Sequence, residues 1–362
     1  MRIAQIAPLW ERVPPFRYGG IELIVSLLTD ELVRRGHEVT LFASGDSITD
    51  AQLKSVHEQA LRLDNKIKEP GLYEQMLLSE LYQHAHHFDV IHSHVGCAAL
   101  PYSAMVKTPT VHTTHGVFTP DNEKMFRKFA SQPYISISEA QREPQLGLNY
   151  VHTVYNGIDT KVYPFQKEPN QPPYLAFVGR ISPEKGPEGA IKIARATGMP
   201  LKMAGKVDPV DRTYFAEQIQ PLIDGEQIQY LGEVSHEEKV QLLGGASVTL
   251  FPITWREPFG LVMIESMATG TPVIGMAMGS VPEVIAHGKT GFVCPTLEEM
   301  IEVVPEAMKL DRQTCRDYVV SRFSVETMVD EYERAFEMVL DQRSLHHRQK
   351  VVFGRAFADE TA

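Results

Sequence analysis

A cationic loop in the second half of the chain has the residue types that bind an oxyanion. An apolar strand ends at Val178, and Gly179-Arg180 and Lys185-Gly186 follow it. Arginine binds an oxyanion as a bidentate fork and lysine binds it as a point charge, so Arg180 and Lys185 together suit a diphosphate. The alternative is a surface loop in which both side chains pair with nearby glutamates.

A second motif places two glutamates around a predicted helix start. Glu257 precedes Pro258, which suits the first turn of a helix that begins near Phe259. Glu265 lies further along this helix, and its side chain leans back toward the helix start, where a carboxylate can accept hydrogen bonds from a diol. The alternative is a capping Glu257 and an ordinary exposed Glu265. A helix start leaves backbone N–H groups free to bind an anion, here those of Phe259, Gly260 and Leu261.

The first half of the chain contributes glycines and histidines at strand ends. Gly19-Gly20 precedes a helix and can cradle a phosphate or admit a substrate, with a simple turn as the alternative. His115 follows a strand and can hydrogen-bond a sugar hydroxyl. His92 and His94 alternate onto one strand face, but no third ligand is suggested and no D-x-D pair occurs, so we expect no metal. The missing G-x-G-x-x-G and G-x-x-x-x-G-K-[ST] patterns argue against a dinucleotide fingerprint and a P-loop.

The elements that must position these residues follow an α/β pattern. A helix is predicted over 21–35, ending at Gly36, and another over 187–197. Four prolines within 164–173 predict a linker, after which the strand-helix pattern restarts. We therefore expect two domains, 1–165 and 172–324, each with a parallel sheet covered on both faces. Strands are predicted over 2–7, 39–43, 89–93, 110–113 and 134–137, and then over 175–178, 201–204, 228–231, 248–251 and 272–274.

Composition and charge restrict the partners. The 362 residues include 35 basic and 46 acidic side chains, and the formal charge of −11 disfavours nucleic acid. The basic and apolar segment 124–129 supports at most a weak peripheral membrane contact, and an ordinary surface helix or loop is favoured. No apolar run approaches the ~20 residues that span a bilayer. Three widely spaced cysteines favour reduced thiols, so a cytoplasmic location is expected.

Together these segments resemble the retaining glycosyltransferases of family 4, which have the GT-B fold. The resemblance implies two Rossmann-like domains that face each other across a cleft, with a last helix near 325–345 packed back on the first. The matching motifs follow the family's order over 18–295: Tyr18-Gly19-Gly20-Ile21-Glu22, Asp89-Val90-Ile91-His92-Ser93-His94, His115-Gly116, Ser138-Glu139, Asn156-Gly157-Ile158-Asp159, Gly179-Arg180 with Lys185-Gly186, and Glu257-x7-Glu265 with Ala268-Thr269-Gly270-Thr271-Pro272-Val273-Ile274.

The resemblance also implies a nucleotide-sugar site that needs no metal. Arg180 and Lys185 would hold the diphosphate, helped by the backbone of Gly260-Leu261 next to Phe259. Glu265 would bind the ribose and Glu257 the hexose. The remaining implied contacts are His115 beside the sugar and the attacking oxygen, Gly19-Gly20 by the phosphate and acceptor, and Val234 near the base. Many family members have glycine where Pro258 stands, and this departure leaves both glutamates in place.

The implied activity is transfer of a hexose from a nucleotide sugar, UDP-hexose first, to a hydroxyl acceptor with retained configuration. In this front-face mechanism the departing phosphate accepts the proton of the acceptor. The alternatives are a GT-B-fold epimerase or phosphorylase and a sugar-nucleotide-binding protein without turnover, and the paired glutamates favour a transferase. The hexose stays open. The acceptor also stays open among a saccharide, a lipid, an inositol phosphate and a small metabolite such as a pterin.

Overall fold

Strands and helices alternate along the described chain, which comprises residues 1–16 and 19–359, with the backbone alone described over 344–359. In this computed structural model the chain divides into two units, and each is described by itself. The first unit contains Met1–Ile137, Glu143–Val154 and the chain from Met328 onward. The second unit contains Ser138–Arg142 and Tyr155–Thr327.

The first unit is built on seven strands that all pair in parallel. They are β1 (Arg2–Ile6), β2 (Glu38–Phe42), β3 (Gln52–Lys54), β4 (Val90–Ser93), β5 (Thr110–Thr114), β6 (Pro133–Ser136) and β7 (Asn149–Thr153). Their order in the sheet is β3-β2-β1-β4-β5-β6-β7. The chain therefore leaves the centre in one direction from β1 and in the other from β4.

Helices cover this sheet because their apolar residues fall on one face. They are α1 (Gly20–Arg34), α2 (Pro70–Gln83), α3 (Leu100–Ser103) and α4 (Asn122–Lys128). Helix α1 buries Ile24, Leu28 and Leu32, and the chain after it turns at Gly36 with a positive φ of 88°. The predicted glycine helix end is confirmed.

The second unit has six parallel strands in the same kind of arrangement. They are β8 (Leu175–Val178), β9 (Leu201–Ala204), β10 (Ile228–Tyr230), β11 (Val248–Phe251), β12 (Val273–Met276) and β13 (Gly291–Cys294), in the sheet order β10-β9-β8-β11-β12-β13. Phe177, Met203 and Leu250 are among the side chains of its core. Here the direction of strand addition reverses between β8 and β11.

The helices of the second unit include the one that follows the Glu257 loop. They are α5 (Pro187–Thr197), α6 (Arg212–Tyr214), α7 (His236–Gly245), α8 (Leu261–Ala268), α9 (Val281–Val284), α10 (Leu297–Glu302), α11 (Val304–Ala307) and α12 (Arg312–Arg322). The last helix, α13 (Val325–Asp359), begins in the second unit and continues in the first from Met328. Its Tyr332 and Phe336 rings lie against His92.

The sequence pattern predicted every central strand within two residues at each end, which is inside the usual ambiguity of element ends. It missed three strands, β3, β7 and β13, and all of them are at sheet edges. An edge strand has one unpaired side and needs no continuous apolar run; residues of β3 and β7 are exposed or half-buried. The predicted helix start near Phe259 was wrong by two residues, because Gly260 at φ 81° is the N-cap and α8 begins at Leu261.

The proline-rich segment 164–173 is not where the chain passes between units. It lies inside the second unit, and the chain passes between the units at 137/138, 142/143, 154/155 and 327/328. The segment is tied down by backbone hydrogen bonds from Gln166 N–H to the carbonyl of Thr269 and from Asn170 N–H to that of Gly245. Prolines here shape a packed loop, a role that composition alone does not separate from a free linker.

Two further observations bear on location. Within the described part of the chain, no helix is long and apolar enough to cross a membrane. Cys97, Cys294 and Cys315 are free thiols. The cytoplasmic location stays a prediction.

Candidate functional site

In each unit several candidate residues follow the two strands between which the order of strand addition reverses. Ligands of parallel α/β sheets bind outside the carboxyl ends of the strands at this point. In the second unit, Arg180 and Lys185 follow β8 and Glu257 follows β11, and these two strands are neighbours. In the first unit, Gly19-Gly20 follows β1 and His94 follows β4, which are also neighbours. The topology thus groups these motifs, whereas Val234 follows the edge strand β10 and His115 follows β5.

Glu257 is a buried carboxylate with two donors on one oxygen. The side chain is 7% exposed. Its Oε2 accepts hydrogen bonds from Lys185 Nζ at 2.5 Å and from Trp255 Nε1 at 2.8 Å. The Lys185 ammonium also lies 5.0 Å from the centre of the Trp255 ring. No described residue donates to Oε1, so this oxygen has acceptor capacity left for a ligand. The alternative that Glu257 caps the helix is wrong.

Glu265 repeats this pattern on the second turn of α8. It is 4% exposed, which contradicts the alternative of an ordinary exposed side chain. Its Oε1 accepts from the Tyr163 hydroxyl at 2.8 Å and from Lys239 Nζ at 2.5 Å, whereas Oε2 receives no donor from the described residues. Burial, and then the neighbouring Glu265 carboxylate, raise the pKa of Tyr163, so its hydroxyl keeps its proton. Arg316 holds Tyr163 in place through a hydrogen bond of 2.6 Å to its carbonyl.

The loop between the two glutamates is held by its carbonyl groups. Ser280 donates its backbone N–H to the Glu257 carbonyl at 3.0 Å and its hydroxyl to the Phe259 carbonyl at 2.7 Å. The Ser138 hydroxyl donates to the carbonyl of Pro258 at 2.7 Å. Gly279 allows this approach, since its φ is 56° and a Cβ there would lie 2.2 Å from the Glu257 carbonyl oxygen.

The carbonyl groups of this loop are hydrogen-bonded, whereas, within the described part of the chain, several consecutive backbone N–H groups are not. The backbone N–H groups of Phe259, Gly260, Leu261 and Val262 have no acceptor among the described residues. They include the three N–H groups expected from the sequence, although the helix begins later than predicted. Free N–H groups and the dipole at the start of α8 favour an anion. The role of these groups in binding stays a prediction.

Arg180 has partners other than those of Lys185. Its guanidinium pairs with Glu184, and it lies 3.4 Å from Asp208 and 3.8 Å from Asp211. No hydrogen bond of Arg180 reaches the carboxylate that Lys185 holds. The pairing with local acidic residues that the sequence left open therefore applies to Arg180. Its predicted contact with a diphosphate stays a prediction.

Val234 precedes Ser235, the N-cap of α7. The Ser235 hydroxyl and the Glu238 carboxylate form a capping box, and this fixes where the loop ends. Val234 is half-buried and packs against the cluster that contains Tyr174, Ala204 and Leu242. Its predicted position near a base stays a prediction.

In the first unit, Gly19 is the N-cap of α1 and Gly20 is the first residue of the helix. Gly19 has a φ of 153°, and a Cβ on it would lie 2.7 Å from Pro15 Cβ, so the position demands glycine. Gly20 is exposed at the helix start, where backbone N–H groups favour an anion. Tyr18, the first residue of this motif, lies outside the described residues.

His115 is half-buried and is linked to a row of buried histidines. Its Nε2 is 2.8 Å from His94 Nδ1, and His94 Nε2 lies 3.1 Å from Gln5 Oε1 and 3.2 Å from His92 Nδ1. His92 Nε2 in turn is 2.7 Å from the Thr113 hydroxyl. Burial lowers the pKa of His115 to about 4 and that of His92 and His94 well below the usual range. All three rings are therefore neutral near pH 7.

The contacts of His92 and His94 also bear on the hypothesis that these two histidines bind a metal. Within residues 1–16 and 19–343, whose side chains are described, no three or more His, Cys, Asp or Glu side chains form a group with metal-binding geometry. His92 and His94 bond to each other and to neutral partners. Independence from metal stays a prediction.

Sequence reasoning missed the residues that support the two glutamates. Trp255 lies two positions before Glu257, and an aromatic N–H so close to a candidate carboxylate is a usable signal. Tyr163 and Lys239 carry no such signal, since they reach Glu265 from distant parts of the sequence. Ser280 likewise looks like an ordinary helix-start serine.

Two family descriptions match adjoining parts of the chain. Residues 18–162 match Glycosyltransferase Family 4, and residues 159–321 match Glycosyl transferases group 1. An uncharacterised glycosyltransferase of Methanocaldococcus jannaschii is 26% identical over 338 residues, which cover 81% of this chain and 84% of that protein. D-inositol 3-phosphate glycosyltransferase of Mycolicibacterium smegmatis is 25% identical over 396 residues, with 91% and 89% covered.

Solved structures share the fold over nearly the whole chain. The structure of HepE from Anabaena in complex with UDP and glucose has a TM-score of 0.71 and 21% identity, and the match covers 93% of this chain and 100% of that one. At this identity the likeness concerns the fold alone. The two parallel-sheet α/β units are of the GT-B type, so the predicted fold class is confirmed.

Proposed function

The chain belongs to the family 4 glycosyltransferases with the GT-B fold, and from this premise we propose that it transfers a hexose from UDP-hexose to a hydroxyl acceptor with retention of configuration. The observation that carries the proposal is the pair of buried glutamates, each with one oxygen bonded by two donors and the other open. Such oxygens suit the vicinal hydroxyls of sugars. Between them the N–H groups of 259–262 and the Lys185 ammonium suit a diphosphate.

The proposed assignments are those that the family resemblance implies, placed on this arrangement. Glu265, deeper along α8, accepts hydrogen bonds from the ribose, and Glu257, before the helix, accepts them from the hexose. Arg180 donates to the diphosphate beside its acidic neighbours Glu184 and Asp208. HepE has been solved in complex with UDP and glucose, and this supports UDP as the first nucleotide to test.

The chemistry required of these groups is stabilisation of a leaving group. The diphosphate gains negative charge as the anomeric bond breaks, and donors already fixed in place stabilise that charge without reorganising. Lys185 and the 259–262 N–H groups are held in this way by Glu257, Ser280 and Ser138. The departing phosphate takes the acceptor proton, so no separate base is needed, and we propose that the reaction needs no metal.

The first unit is proposed to contribute hydrogen bonding rather than charge. His115 is neutral near pH 7, and its Nδ1 has no partner among the described residues, so it is available to a substrate hydroxyl. Gly19-Gly20 is proposed to contact the phosphate or the acceptor through its backbone. The acceptor is a hydroxyl compound. The relative from Mycolicibacterium smegmatis is named for transfer to an inositol phosphate, which makes inositol phosphates the first acceptors to test.

The proposal is tested by nucleotide binding in the presence of EDTA. Thermal unfolding of the whole chain is measured with UDP, GDP, ADP, NAD and the hexose conjugates of the first three. A ligand at about 100 times its dissociation constant adds about 2.7 kcal/mol of stability. We expect a clear shift with UDP and a larger one with a UDP-hexose. A shift with NAD alone, or one that appears only when a divalent metal is added, would contradict the proposal.

Stereochemistry needs a separate measurement. Once a donor and an acceptor are identified, proton NMR of the first product formed reports the anomeric configuration directly. Retention is expected. An inverted product would contradict the proposed mechanism while leaving the nucleotide-sugar site intact.

A further inference from the structure

The two buried glutamates are supported in the same way by unrelated parts of the second unit. On each, one oxygen receives a lysine ammonium at 2.5 Å and an uncharged aromatic donor at 2.8 Å. For Glu257 the aromatic donor is the indole N–H of Trp255, and for Glu265 it is the hydroxyl of Tyr163. In both cases the lysine also lies over the aromatic ring, at 5.0 Å and 5.9 Å from its centre.

This repeated arrangement has a physical consequence for the free oxygen. A carboxylate on a flexible glutamate can rotate, and two donors on the same oxygen fix its rotamer. The lysine provides the charge that a buried carboxylate requires. The aromatic donor adds direction, because its ring is large and held by packing; Tyr163 is 2% exposed. The other oxygen then points in one direction only.

We propose that Trp255 and Tyr163 are positioning residues for the sugar donor: Trp255 directs the free oxygen of Glu257 to the hexose, and Tyr163 directs that of Glu265 to the ribose. The inference rests on the proposed function, since it assigns the two carboxylates to the two sugars of a nucleotide sugar. It adds two residues of this chain that act through the glutamates and touch neither the diphosphate nor the reacting bond.

The roles of Trp255 and Tyr163 can be distinguished by comparing the binding of UDP with that of UDP-glucose. Free UDP contains the ribose and no hexose, whereas UDP-glucose contains both. Loss of the Trp255 N–H should therefore weaken the binding of UDP-glucose and leave the binding of UDP unchanged. Loss of the Tyr163 hydroxyl should weaken the binding of both ligands equally. If the two residues had a merely structural role, both variants would bind both ligands more weakly, and the ligand-free protein would be less stable.

The experiment uses Trp255→Phe and Tyr163→Phe in the full chain, with calorimetric titration of UDP and UDP-glucose. Each substitution removes one donor and keeps an aromatic ring. A lost hydrogen bond to a charged group predicts about tenfold weaker binding. For Trp255→Phe we expect this loss for UDP-glucose alone, and in turnover a higher KM for the donor with a smaller change in kcat. For Tyr163→Phe we expect it for both ligands.

Matched controls remove similar groups elsewhere. Tyr174→Phe deletes a buried hydroxyl that donates to the carbonyl of Leu242 in the same unit. Trp10→Phe changes the chain's other tryptophan, which is 52% exposed. Neither should alter the affinity for UDP or UDP-glucose, and Tyr174→Phe reports how far a lost buried hydroxyl lowers the unfolding temperature by itself.

The outcomes separate the inference from the function beneath it. Equal losses for UDP and UDP-glucose in Trp255→Phe, or no loss in either variant, would overturn the inference while the proposed donor site stands. A wild-type protein that binds neither UDP nor UDP-glucose would overturn the proposed function, and the inference with it. The expected pattern supports both.

Discussion

The candidate groups of the two units differ in charge, although both lie at the same topological position. In the second unit both buried glutamates of the site are paired with a lysine, Glu257 with Lys185 and Glu265 with Lys239. In the first unit the corresponding place is filled by a chain of neutral side chains, from Gln5 through His94 to His115. A buried charge is tolerated only with a partner, whereas burial alone keeps histidine neutral. One site is thus built to handle charge and the other to donate and accept hydrogen bonds.

This difference assigns separate steps of the proposed reaction to the two units. Negative charge develops on the leaving diphosphate, and the second unit provides lysine cations and fixed backbone donors suited to it. The neutral histidines of the first unit suit hydroxyl groups, which carry no charge before transfer. Substitutions and pH changes should therefore affect the two units in different ways.

The largest expected effect comes from removing the cation of the charged site. Lys185→Ala deletes the partner of Glu257 and the proposed contact with the diphosphate. Loss of one preorganised donor at a developing anion lowers turnover by about 10²–10³-fold. We expect this loss in kcat/KM for the donor, measured by release of UDP in the presence of an acceptor.

A control for the Lys185 variant lies on the next helix. Lys192 is exposed on α5 in the same unit, and Lys192→Ala removes the same charge without touching the site. It should retain wild-type turnover. Full activity in Lys185→Ala, with a folded protein shown by an unchanged circular dichroism spectrum, would remove the charged site from the mechanism.

The first unit, which contains the neutral histidines, should instead lose folding stability in acid. The folded-state pKa of His115 is about 4, below its ordinary value of 6.5, so between these values the unfolded chain binds more protons than the folded one. Stability is then fully present above pH 6.5 and falls as the pH drops. From pH 7 to pH 5 this histidine alone should cost about 2 kcal/mol of unfolding free energy. His115→Gln should remove that part of the acid dependence.

Denaturant unfolding at pH 7 and pH 5 measures this difference. The two tryptophans allow each unit to be followed, since Trp10 is in the first unit and Trp255 in the second. With Trp255→Phe as background, the signal of Trp10 should show the acid dependence and its reduction by His115→Gln. His86→Gln replaces an exposed histidine of the same unit and should leave the dependence as it was. An equal effect of both substitutions would show that the chain of neutral side chains is not its source.

Prediction from sequence succeeded where a signal is local and apolar. The central strands follow from short runs such as Leu175–Val178, because a parallel strand buried on both faces needs apolar residues throughout. The edge strand Gln52–Lys54 has no such requirement and was missed. The segment 164–173 was interpreted from its prolines, although hydrogen bonds to distant carbonyls decide its position.

The site follows the same rule. Glu257, Glu265 and Lys185 belong to local motifs with a chemical meaning, and the sequence singles out all three as candidates. The residues that support them do not belong to local motifs. Lys239 is on another helix than Glu265, and Tyr163 is about a hundred positions away from Glu265 in the sequence. Contacts of this kind depend on the packing of the whole unit, which one sequence without relatives does not display.

The smallest expected effect tests how the charged site keeps its shape. Ser280→Ala removes the hydroxyl that donates to the Phe259 carbonyl and leaves the bond from the Ser280 N–H to Glu257. One neutral hydrogen bond contributes about 1 kcal/mol, which predicts a loss of about fivefold in donor affinity, measured by calorimetric titration of the nucleotide sugar. Ser247→Ala is the matched control, since the hydroxyl of Ser247 is buried in the same unit without a hydrogen-bond partner among the described residues. If both variants bind alike, the hydrogen bond from the Ser280 hydroxyl to the Phe259 carbonyl has no part in binding the donor.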